Sequence, residues 1–397
     1  MQARIPAVFM RGGTSRALFF REEDLPADAE ERDYLFLAAL GSPDPYGRQL
    51  DGLGGGISSL SKVAIIAPPT APGTDVNYTF GQVEVGRPFV DYRGNCGNIS
   101  SAVGPYAIDE GFVAATEPTT DVTFVNTNTG KRIVAHVPVE DGAAATRGDF
   151  ALPGVAGTGA RIALEFLDPG GAVTGRLLPT GQPRDELDVP GVGTITVSLV
   201  DATNPMVYLR AADVGLTGTE HPAAMDADAA LMDRLERIRA EAAVRMGMVP
   251  DVRTATERSQ AVPKIAVVAG PRDYTDLSGN LVSGQSVDLV ARILSMGQAH
   301  RAFALTGAMC LAVAAHVPGT VVEEATGPLA PGQDVRIGHP SGVLAIAATV
   351  RADGNGCEAV SVCVYRTARR LMEGWVRVPP RTAGARSLVD AGAAGSR

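Results

Sequence analysis

The alternation of hydrophobic and polar positions predicts the same order of elements twice along the chain. Residues 5–25 predict a strand, a polar glycine-containing loop, a second strand and a charged turn. Residues 195–214 repeat that order at an offset of 189 residues. A helix is predicted after each copy, a short one near residues 31–40 and a longer one over residues 227–246 with apolar side chains at helical spacing.

Three further matches follow in the same order. Lys62 and Lys264, at an offset of 202 residues, each precede an apolar strand rich in β-branched residues. Cys96 opens a predicted helix of small residues, and Ala304 holds the matching position at an offset of 208. At an offset of 212, the pairs Thr129-Gly130 and Ser341-Gly342 each lie in a turn between two alternating strands. The offset grows steadily along the chain, as insertions would make it.

These matches predict an α/β (α+β) fold of two similar halves related by a pseudo-dyad. We place the N-terminal half at residues 1–188, the C-terminal half at 189–380 and a low-complexity tail at 381–397. The halves are joined in the Pro/Gly-rich stretch near residues 187–193. A cleft between the halves is the expected active site.

Composition narrows the function classes. With 397 residues, 45% of them hydrophobic, the chain has ample material for a core. A net charge of −9 gives no basic surface for nucleic acid or an anionic membrane. No stretch approaches the roughly 20 apolar residues that cross a bilayer. The cysteines form no CxxC pair and residues 1–13 contain no signal-peptide core, so we expect a cytoplasmic protein with reduced thiols.

Lysine is scarce, and this makes the few lysines informative. Among 35 basic residues only Lys62, Lys131 and Lys264 are lysine. An arginine stays protonated in a protein, whereas a lysine can be tuned to accept a proton. Lys62 also ends a run of glycines and serines over residues 51–62, whose backbone N–H groups can approach an anion closely and whose hydroxyls, such as that of Ser59, add donors. The run matches neither a Walker loop nor a GxGxxG motif, so it does not predict a nucleotide site.

Cys96 lies between two Gly-Asn pairs at the predicted start of a helix. The positive end of the helix dipole stabilises a thiolate there, which is the setting of a catalytic cysteine. Three other cysteines lie among alanine and valine and are interpreted as structural: Cys310, Cys357 and Cys363.

Polar loops with hydrogen-bond donors occur at matching places in both halves. Residues 11–16, with Ser15, supply donors in the first half. Residues 295–300 and 339–342 supply donors in the second half. All of them are suited to hold carboxylates. No HExxH, GxSxG or metal-ligand cluster is present in the sequence, so metallohydrolase and α/β-hydrolase functions are unsupported.

The motifs together resemble the PrpF family nearly from end to end. The family consists of cofactor-independent isomerases on a diaminopimelate-epimerase-like fold, in which two barrel-like halves each surround a central helix. Its activities include 2-methylaconitate cis-trans isomerisation, 3-methylitaconate Δ-isomerisation and 4-oxalomesaconate tautomerisation. The motifs that carry the resemblance are MRGGTSR, GSPDPYGRQLDGLGG, SSLSK, DVNYTFGQV, GNCGN, RMGMV, PKIAVV, SMG, GHPSG and LMEGWVRVP.

The resemblance implies an allylic isomerase that acts on a small unsaturated di- or tricarboxylic acid by moving a proton, with neither cofactor nor metal. It implies Lys62 and Cys96 as the catalytic pair, and which of the two abstracts the proton stays open. Ala304 lacks the second thiol of two-cysteine racemases, which disfavours a proline- or diaminopimelate-type racemase. The expected substrate-binding residues are Ser15, Ser59, Asn95, Gly97, Asn98, Lys264, Ser295, Met296, Ser341 and Gly342.

The resemblance also bears on binding partners, and one alternative to an enzyme is left open. The resemblance is compatible with a homodimer and with functional pairing with an aconitase-like dehydratase, and neither nucleic acid nor membrane is expected as a partner. A non-catalytic carboxylate-binding scaffold of the same fold is the alternative to an enzyme. The sequence does not choose among the candidate acids, because one methyl or keto group changes only the shape of the pocket.

Overall fold

The computed structural model describes residues 2–92, 96–260, 262–295, 297–330, 332–353 and 356–381. The strands are β1 Ala3–Gly12, β2 Ser15–Arg21, β3 Lys62–Ala67, β4 Val76–Val83, β5 Val90–Asp91, β6 Thr119–Asn126, β7 Lys131–Glu140, β8 Ala143–Ala144, β9 Phe150–Ala151, β10 Thr158–Gly159, β11 Ile162–Leu167, β12 Asp185–Val189, β13 Gly193–Ala202, β14 Asn204–Arg210, β15 Lys264–Ala269, β16 Tyr274–Thr275, β17 Leu281–Val282, β18 Leu289–Ser295, β19 Gln298–Ala299, β20 Asp334–His339, β21 Gly342–Asp353, β22 Gly356–Arg366 and β23 Ala368–Val378. The helices are α1 Ala29–Leu40, α2 Gly97–Asp109, α3 Pro222–Ala227, α4 Ala229–Arg245, α5 Val252–Arg258, α6 Leu305–Ala315 and α7 Val321–Thr326.

The chain forms two compact units whose sheets repeat one topology. The first unit holds the described residues up to 165 and from 365 onward, and the second holds residues 166–364. The sheet of the first unit has the order β23-β1-β2-β3-β4-β6-β7-β11. That of the second has the order β12-β13-β14-β15-β18-β20-β21-β22. Both orders contain parallel pairs at matching places, β2–β3 and β4–β6 against β14–β15 and β18–β20.

The observed boundaries of the units differ from the predicted halves. The prediction ended the first half at residue 188 and kept residues up to 380 in the second. In the structure β12 pairs with β13 and so belongs to the second unit, whereas β23 pairs with β1 and so belongs to the first. Sequence periodicity shows that a strand exists but not which strand it pairs with, and this is why the boundaries differ. The predicted tail, residues 381–397, lies outside the described residues except for Arg381.

A helix of small residues lies against one face of each sheet. In α2 every residue from Ile99 to Ile108 is buried, and the helix contacts strands from β23 at one end of the sheet to β7, the last strand but one at the other end. The sheet of the first unit therefore curves around α2. In α6 the residues Gly307–Ala315 are likewise buried. Alanine, glycine and serine let the strands approach such a helix closely.

The other face of the first sheet packs against α1. Leu18, Val63 and Val376 from three different strands join Leu35 and Phe36 of α1 in one apolar cluster. Phe19, the neighbour of Leu18, instead reaches Tyr106 of α2, with 5.3 Å between the ring centroids. Because successive side chains of a strand point to opposite faces, one face of the sheet packs on α2 and the other on α1. Among the described residues, the helices are too short or too polar to cross a membrane.

Gly12 marks the closest approach of β1 to the start of α2, and we expect a substitution there to be costly. A Cβ atom at this position would lie 2.6 Å from the carbonyl oxygen of Asn98 and 3.1 Å from the Cα of Ile99. Backbone cannot move aside as a flexible side chain can, so we expect Gly12→Ala to lower the free energy of unfolding by about 1–3 kcal/mol. Gly86→Ala is the control, because nothing lies within 4 Å of a Cβ there. Equal midpoints of urea unfolding for the two variants would contradict this prediction.

Candidate functional site

Lys62 is a buried lysine at the start of β3. It shares the α2 face of the sheet, since its neighbour Val63 packs on the α1 side. Only 7% of the residue is exposed. Burial lowers the pKa of Lys62, and a thiolate at Cys96 opposes that shift. The ammonium lies over the ring of Phe80, 5.1 Å from its centroid. Burial thus shifts Lys62 toward the neutral amine relative to an exposed lysine, whereas the contact with the Phe80 ring favours the ammonium.

Gln82 fixes the position of this lysine. The β3–β4 register places Gln82 directly opposite Lys62, and Nζ of Lys62 donates a hydrogen bond to Oε1 of Gln82. The amide nitrogen of Gln82 donates to the carbonyl oxygens of Ser61 at 2.9 Å and Ser58 at 3.1 Å. These two donations leave only the oxygen of the amide for the lysine. Gln82 was not predicted as a site residue, although it lies in the motif DVNYTFGQV, and only the pairing of β4 with β3 places it against Lys62.

The glycine-rich segment before Lys62 forms a loop that is held in place by hydrogen bonds to Gln49. Gln49, which is 1% exposed, donates from its amide to the hydroxyls of Ser61 at 2.7 Å and Ser42 at 2.8 Å. Its oxygen accepts the N–H of Gly56 at 3.0 Å. Ser59 lies half-buried in the 3-10 turn Ser58–Leu60 of this segment. Ser59 lies three positions before Lys62 in the chain, and no contact between their side chains is part of this loop's hydrogen bonding described above.

Cys96 is the N-cap residue of α2. Its carbonyl oxygen accepts both the N–H of Ser100 at 2.9 Å and the hydroxyl of Ser100 at 3.1 Å. The side chain of Cys96 forms no capping hydrogen bond with the first turn. Gly97 and Asn98 open the helix. Two predicted site residues, Asn95 and Met296, lie outside the described residues.

Arg366 is a second buried cation near Cys96 that was not predicted from the sequence. It is 6% exposed, and burial lowers its pKa to about 10, against the effect of the charge of Cys96. Its Nε donates to Oδ1 of Asn98 at 3.2 Å, and Nδ2 of Asn98 donates to the hydroxyl of Thr14 at 3.0 Å. Thr14 precedes Ser15, which is 3% exposed at the start of β2. The first unit therefore links Cys96 and Asn98 to two cations.

The second unit repeats part of this arrangement around Lys264. Lys264 is the first residue of β15, and burial lowers its pKa. Ile265 pairs with Leu294, so the register continued by one residue places Ser295 opposite Lys264. Ser295 therefore holds the place that Gln82 holds in the first unit. Both residues were predicted to bind substrate, and the register places them opposite each other on neighbouring strands.

Two histidines extend the Lys264 group. The pKa of His300 is lowered by burial, and the charge of Lys264 lowers it further. Burial lowers the pKa of His339 to about 4, with further lowering by Arg292 and His300. His300 accepts the N–H of Ala302 at its Nδ1, at 3.1 Å, so its neutral ring carries the proton on Nε2. His339 likewise accepts a backbone N–H at its Nδ1 and offers Nε2–H as a donor.

Ser341 and Gly342 lie in the turn beside this group. The N–H of Ser341 is the one that His339 accepts, at 3.2 Å, and the Ser341 hydroxyl donates to the carbonyl oxygen of Arg301 at 2.6 Å. The carbonyl oxygen of Gly342 accepts the hydroxyl of Tyr274 at 2.5 Å. Lys264, Ser341 and Gly342 are thus connected through His300 and His339, and strand register places Ser295 opposite Lys264.

The helix position that matches Cys96 carries no thiol. Ala304 is the N-cap of α6, as Cys96 is of α2. Cys310 lies farther along α6, fully buried, and its thiol donates to the carbonyl oxygen of Val200 at 3.5 Å. Burial raises its pKa to about 12. Cys310 is structural, as the sequence predicted.

No group of three His, Cys, Asp or Glu side chains within the described ranges is placed to hold a metal ion.

Gln82 offers a test of how Lys62 is tuned. Gln82→Glu places a carboxylate against the lysine, which favours the protonated amine, so we expect the rise of kcat/KM with pH to move to higher pH. Gln82→Met removes the acceptor without adding a charge and serves as the comparison. A pH–rate profile of both variants checks this expectation. If the two profiles move together, Gln82 acts on packing alone.

The fold matches that of a solved isomerase. The crystal structure of methylitaconate-delta-isomerase is 46% identical, with a TM-score of 0.91 and coverage of 97% of this chain and 99% of that chain. The predicted mixed α/β fold is confirmed.

Curated relatives give the class and then the family. The 3-methylitaconate isomerase of Eubacterium barkeri is 48% identical over 95% of this chain and 98% of its own length. The 2-methyl-aconitate isomerase of Shewanella oneidensis is 43% identical over 95% and 98%. The (4E)-oxalomesaconate Delta-isomerase of Novosphingobium sp. is 40% identical over 94% and 97%. The chain is an enzyme of the isomerase class. It belongs to the PrpF family, since the model described as PrpF protein matches residues 2–379.

Proposed function

We propose that the chain is an allylic isomerase of small unsaturated di- or tricarboxylic acids, with Lys62 and Cys96 as its catalytic pair. The observation that carries the proposal is Lys62, which is buried on the α2 face of the sheet and held by Gln82, with Cys96 at the N-terminus of α2. The names of the relatives support the substrate class.

The first step is removal of an allylic proton. Burial favours the neutral form of Lys62, whose lone pair takes the proton from a carbon next to the C=C bond. The electron pair of the broken C–H bond delocalises through the C=C bond into the conjugated carboxylate or keto group. Gln82 keeps Nζ in one place during this transfer, because its own amide is fixed by the backbone.

The second step returns a proton to the dienolate. Either the Lys62 ammonium or the thiol of Cys96 delivers it, at the far end of the allyl system or at the original carbon after rotation. The first route moves the double bond and the second exchanges cis and trans forms. Arg366, buried beside Asn98, stabilises the negative charge that develops on the oxygens.

The proposal also extends to the particular acid within this substrate class. The leading candidate is a 2-methylaconitate-like acid, with 3-methylitaconate and 4-oxalomesaconate as alternatives. Identities of 48%, 43% and 40% to relatives with three different names do not separate them. We also propose a homodimer and a functional pairing with an aconitase-like dehydratase, which light scattering and a coupled assay would test.

Proton NMR in D2O tests the proposal. The wild-type enzyme is incubated with 2-methylaconitate, 3-methylitaconate, aconitate and 4-oxalomesaconate, and deuterium entry at the allylic carbon is followed with the appearance of isomer. We expect both with at least one acid. Exchange of amino-acid α-protons instead would favour a racemase. Tight binding of an acid without any exchange would favour the carboxylate-binding scaffold.

A further inference from the structure

Three arginines form a row across neighbouring strands of the first unit. The β1–β2 register pairs Arg11 with Arg16, and the β1–β23 register pairs Arg11 with Arg369. Like charges directly opposite each other in a sheet destabilise it unless something neutralises them. Within the described ranges, no carboxylate forms an ion pair with any of the three. The pKa of Arg11 is lowered by burial and by the charge of Arg369, and no acidic group opposes that shift.

This row lies on the face of the sheet opposite the catalytic pair. Phe9 packs in the apolar cluster on the α1 face, and Arg11 follows it by two residues on that face. Gly12, between Arg11 and the turn, faces Asn98 of α2 instead. Arg16 stacks on Phe9, with 5.3 Å between its guanidinium carbon and the ring centroid, and its buried Nε has no hydrogen-bond partner.

A cavity opens beside two of these arginines. It has a volume of about 470 Å³ and lies between the β1–β23 edge of the sheet and residues 146–159. Volumes of about 300–1,000 Å³ are typical of sites for small molecules. Arg11 and Arg369 line one part, with the threonines Thr146, Thr158 and Thr367, while Phe150, Leu152, Val155 and Leu371 make an apolar wall. Its lining contains no acidic residue.

We propose that this cavity is a second binding site, distinct from the catalytic pair, for a small organic di- or tricarboxylate. Two guanidinium groups suit two carboxylates, each of which they can hold through paired hydrogen bonds. The apolar wall suits the carbon skeleton between the carboxylates and gives no such contact to an inorganic anion. Threonine hydroxyls supply the remaining donors.

Arg11 also connects the cavity, through hydrogen bonds and packing contacts, to the face of the sheet that carries the catalytic pair. Nη1 of Arg11 donates to the carbonyl oxygens of Gly13 and Thr367, both at 2.9 Å. These carbonyls orient the guanidinium but leave its charge unneutralised. Gly13 in turn lies against the side chain of Asn98, where an added Cβ would be 2.3 Å from Oδ1. A ligand that displaces the Arg11 side chain therefore also shifts the turn at Gly13, which packs against Asn98 at the start of α2.

Calorimetric titration with propane-1,2,3-tricarboxylate tests the proposal. This acid has no C=C bond and so cannot be isomerised by the proposed reaction. We expect Arg369→Gln to weaken one binding event by about 10- to 100-fold. Val155→Glu, which puts a carboxylate into the cavity, should weaken the same event. Arg377→Gln removes an equal charge from the same strand outside this cavity and should bind as the wild type does. Unfolding temperatures verify that all three variants are folded.

Three results would overturn the proposal. They are the absence of binding by the wild type at millimolar acid, isotherms of Arg369→Gln equal to those of the wild type, and binding of inorganic phosphate at this site in place of the tricarboxylate. The isomerase proposal is judged separately, because its D2O assay requires turnover of an unsaturated acid and this titration does not.

Discussion

Alanine in place of Lys62 is expected to lower kcat by about 10²- to 10⁴-fold, the range that one general acid–base group contributes. The reason is that the buried amine of Lys62 is the proposed proton acceptor. Steady-state kinetics with the acid that the D2O assay identifies checks this expectation. Lys131→Ala, at the start of β7, is the control and should keep its activity.

Lys62→Arg separates a base from a binding cation. Arginine keeps the positive charge but does not give up its proton near neutral pH. If Lys62 serves as the base, Lys62→Arg should be as inactive as Lys62→Ala. Activity of Lys62→Arg within a few-fold of the wild type would mean that Lys62 only binds a carboxylate, and the proposed role of the lysine would be wrong.

Removal of the Cys96 thiol is expected both to reduce turnover strongly and to change the titration of Lys62. A thiolate at Cys96 raises the pKa of Lys62, against the larger lowering by burial. Cys96→Ala leaves burial as the dominant cause, so the pKa of Lys62 should fall further below its ordinary value. Any residual activity that depends on the neutral amine should then begin to rise at lower pH than in the wild type.

The small number of lysines makes this shift measurable. Lysine labelled with ¹³C at Cε gives signals from Lys62, Lys131 and Lys264 alone, and single arginine substitutions assign them. The chemical shift of each carbon follows the protonation of its amine. In Cys96→Ala the midpoint of the Lys62 titration should move down while that of Lys131 stays in place. A midpoint that moves up, or does not move, would show that Cys96 carries no negative charge near Lys62.

Much of the repeat was predictable because it depends on local pattern. A lysine that leads into an apolar strand, and a helix that begins at Cys96 or Ala304, are features of short segments, and the structure places each where the offsets put it. The charge and chemistry of Lys62 could also be inferred, since the residue type stands out in an arginine-rich chain.

The sequence did not reveal side-chain contacts that depend on which strands pair in the sheet. Gln82 is 20 residues from Lys62, and the motif DVNYTFGQV around it does not show that its side chain meets the lysine. Arg366 lies 268 residues from Asn98, and Arg369 lies far along the chain from Arg11, so periodicity alone does not connect them. Strand register decides these contacts, and a single sequence specifies register only through the completed sheet.

The pairing of β1 with β23 has a consequence for synthesis. Arg11 and Thr367, at the end of this pair, are 356 residues apart. At about 5–20 residues per second, translation reaches β23 roughly 20–70 s after β1 has been made. During that time the hydrogen-bonding edge of β1 is open, and an open strand edge invites pairing with other chains. A ribosome-bound chain of this protein should therefore depend on holdase chaperones until β23 emerges, and premature termination before residue 368 should yield insoluble fragments.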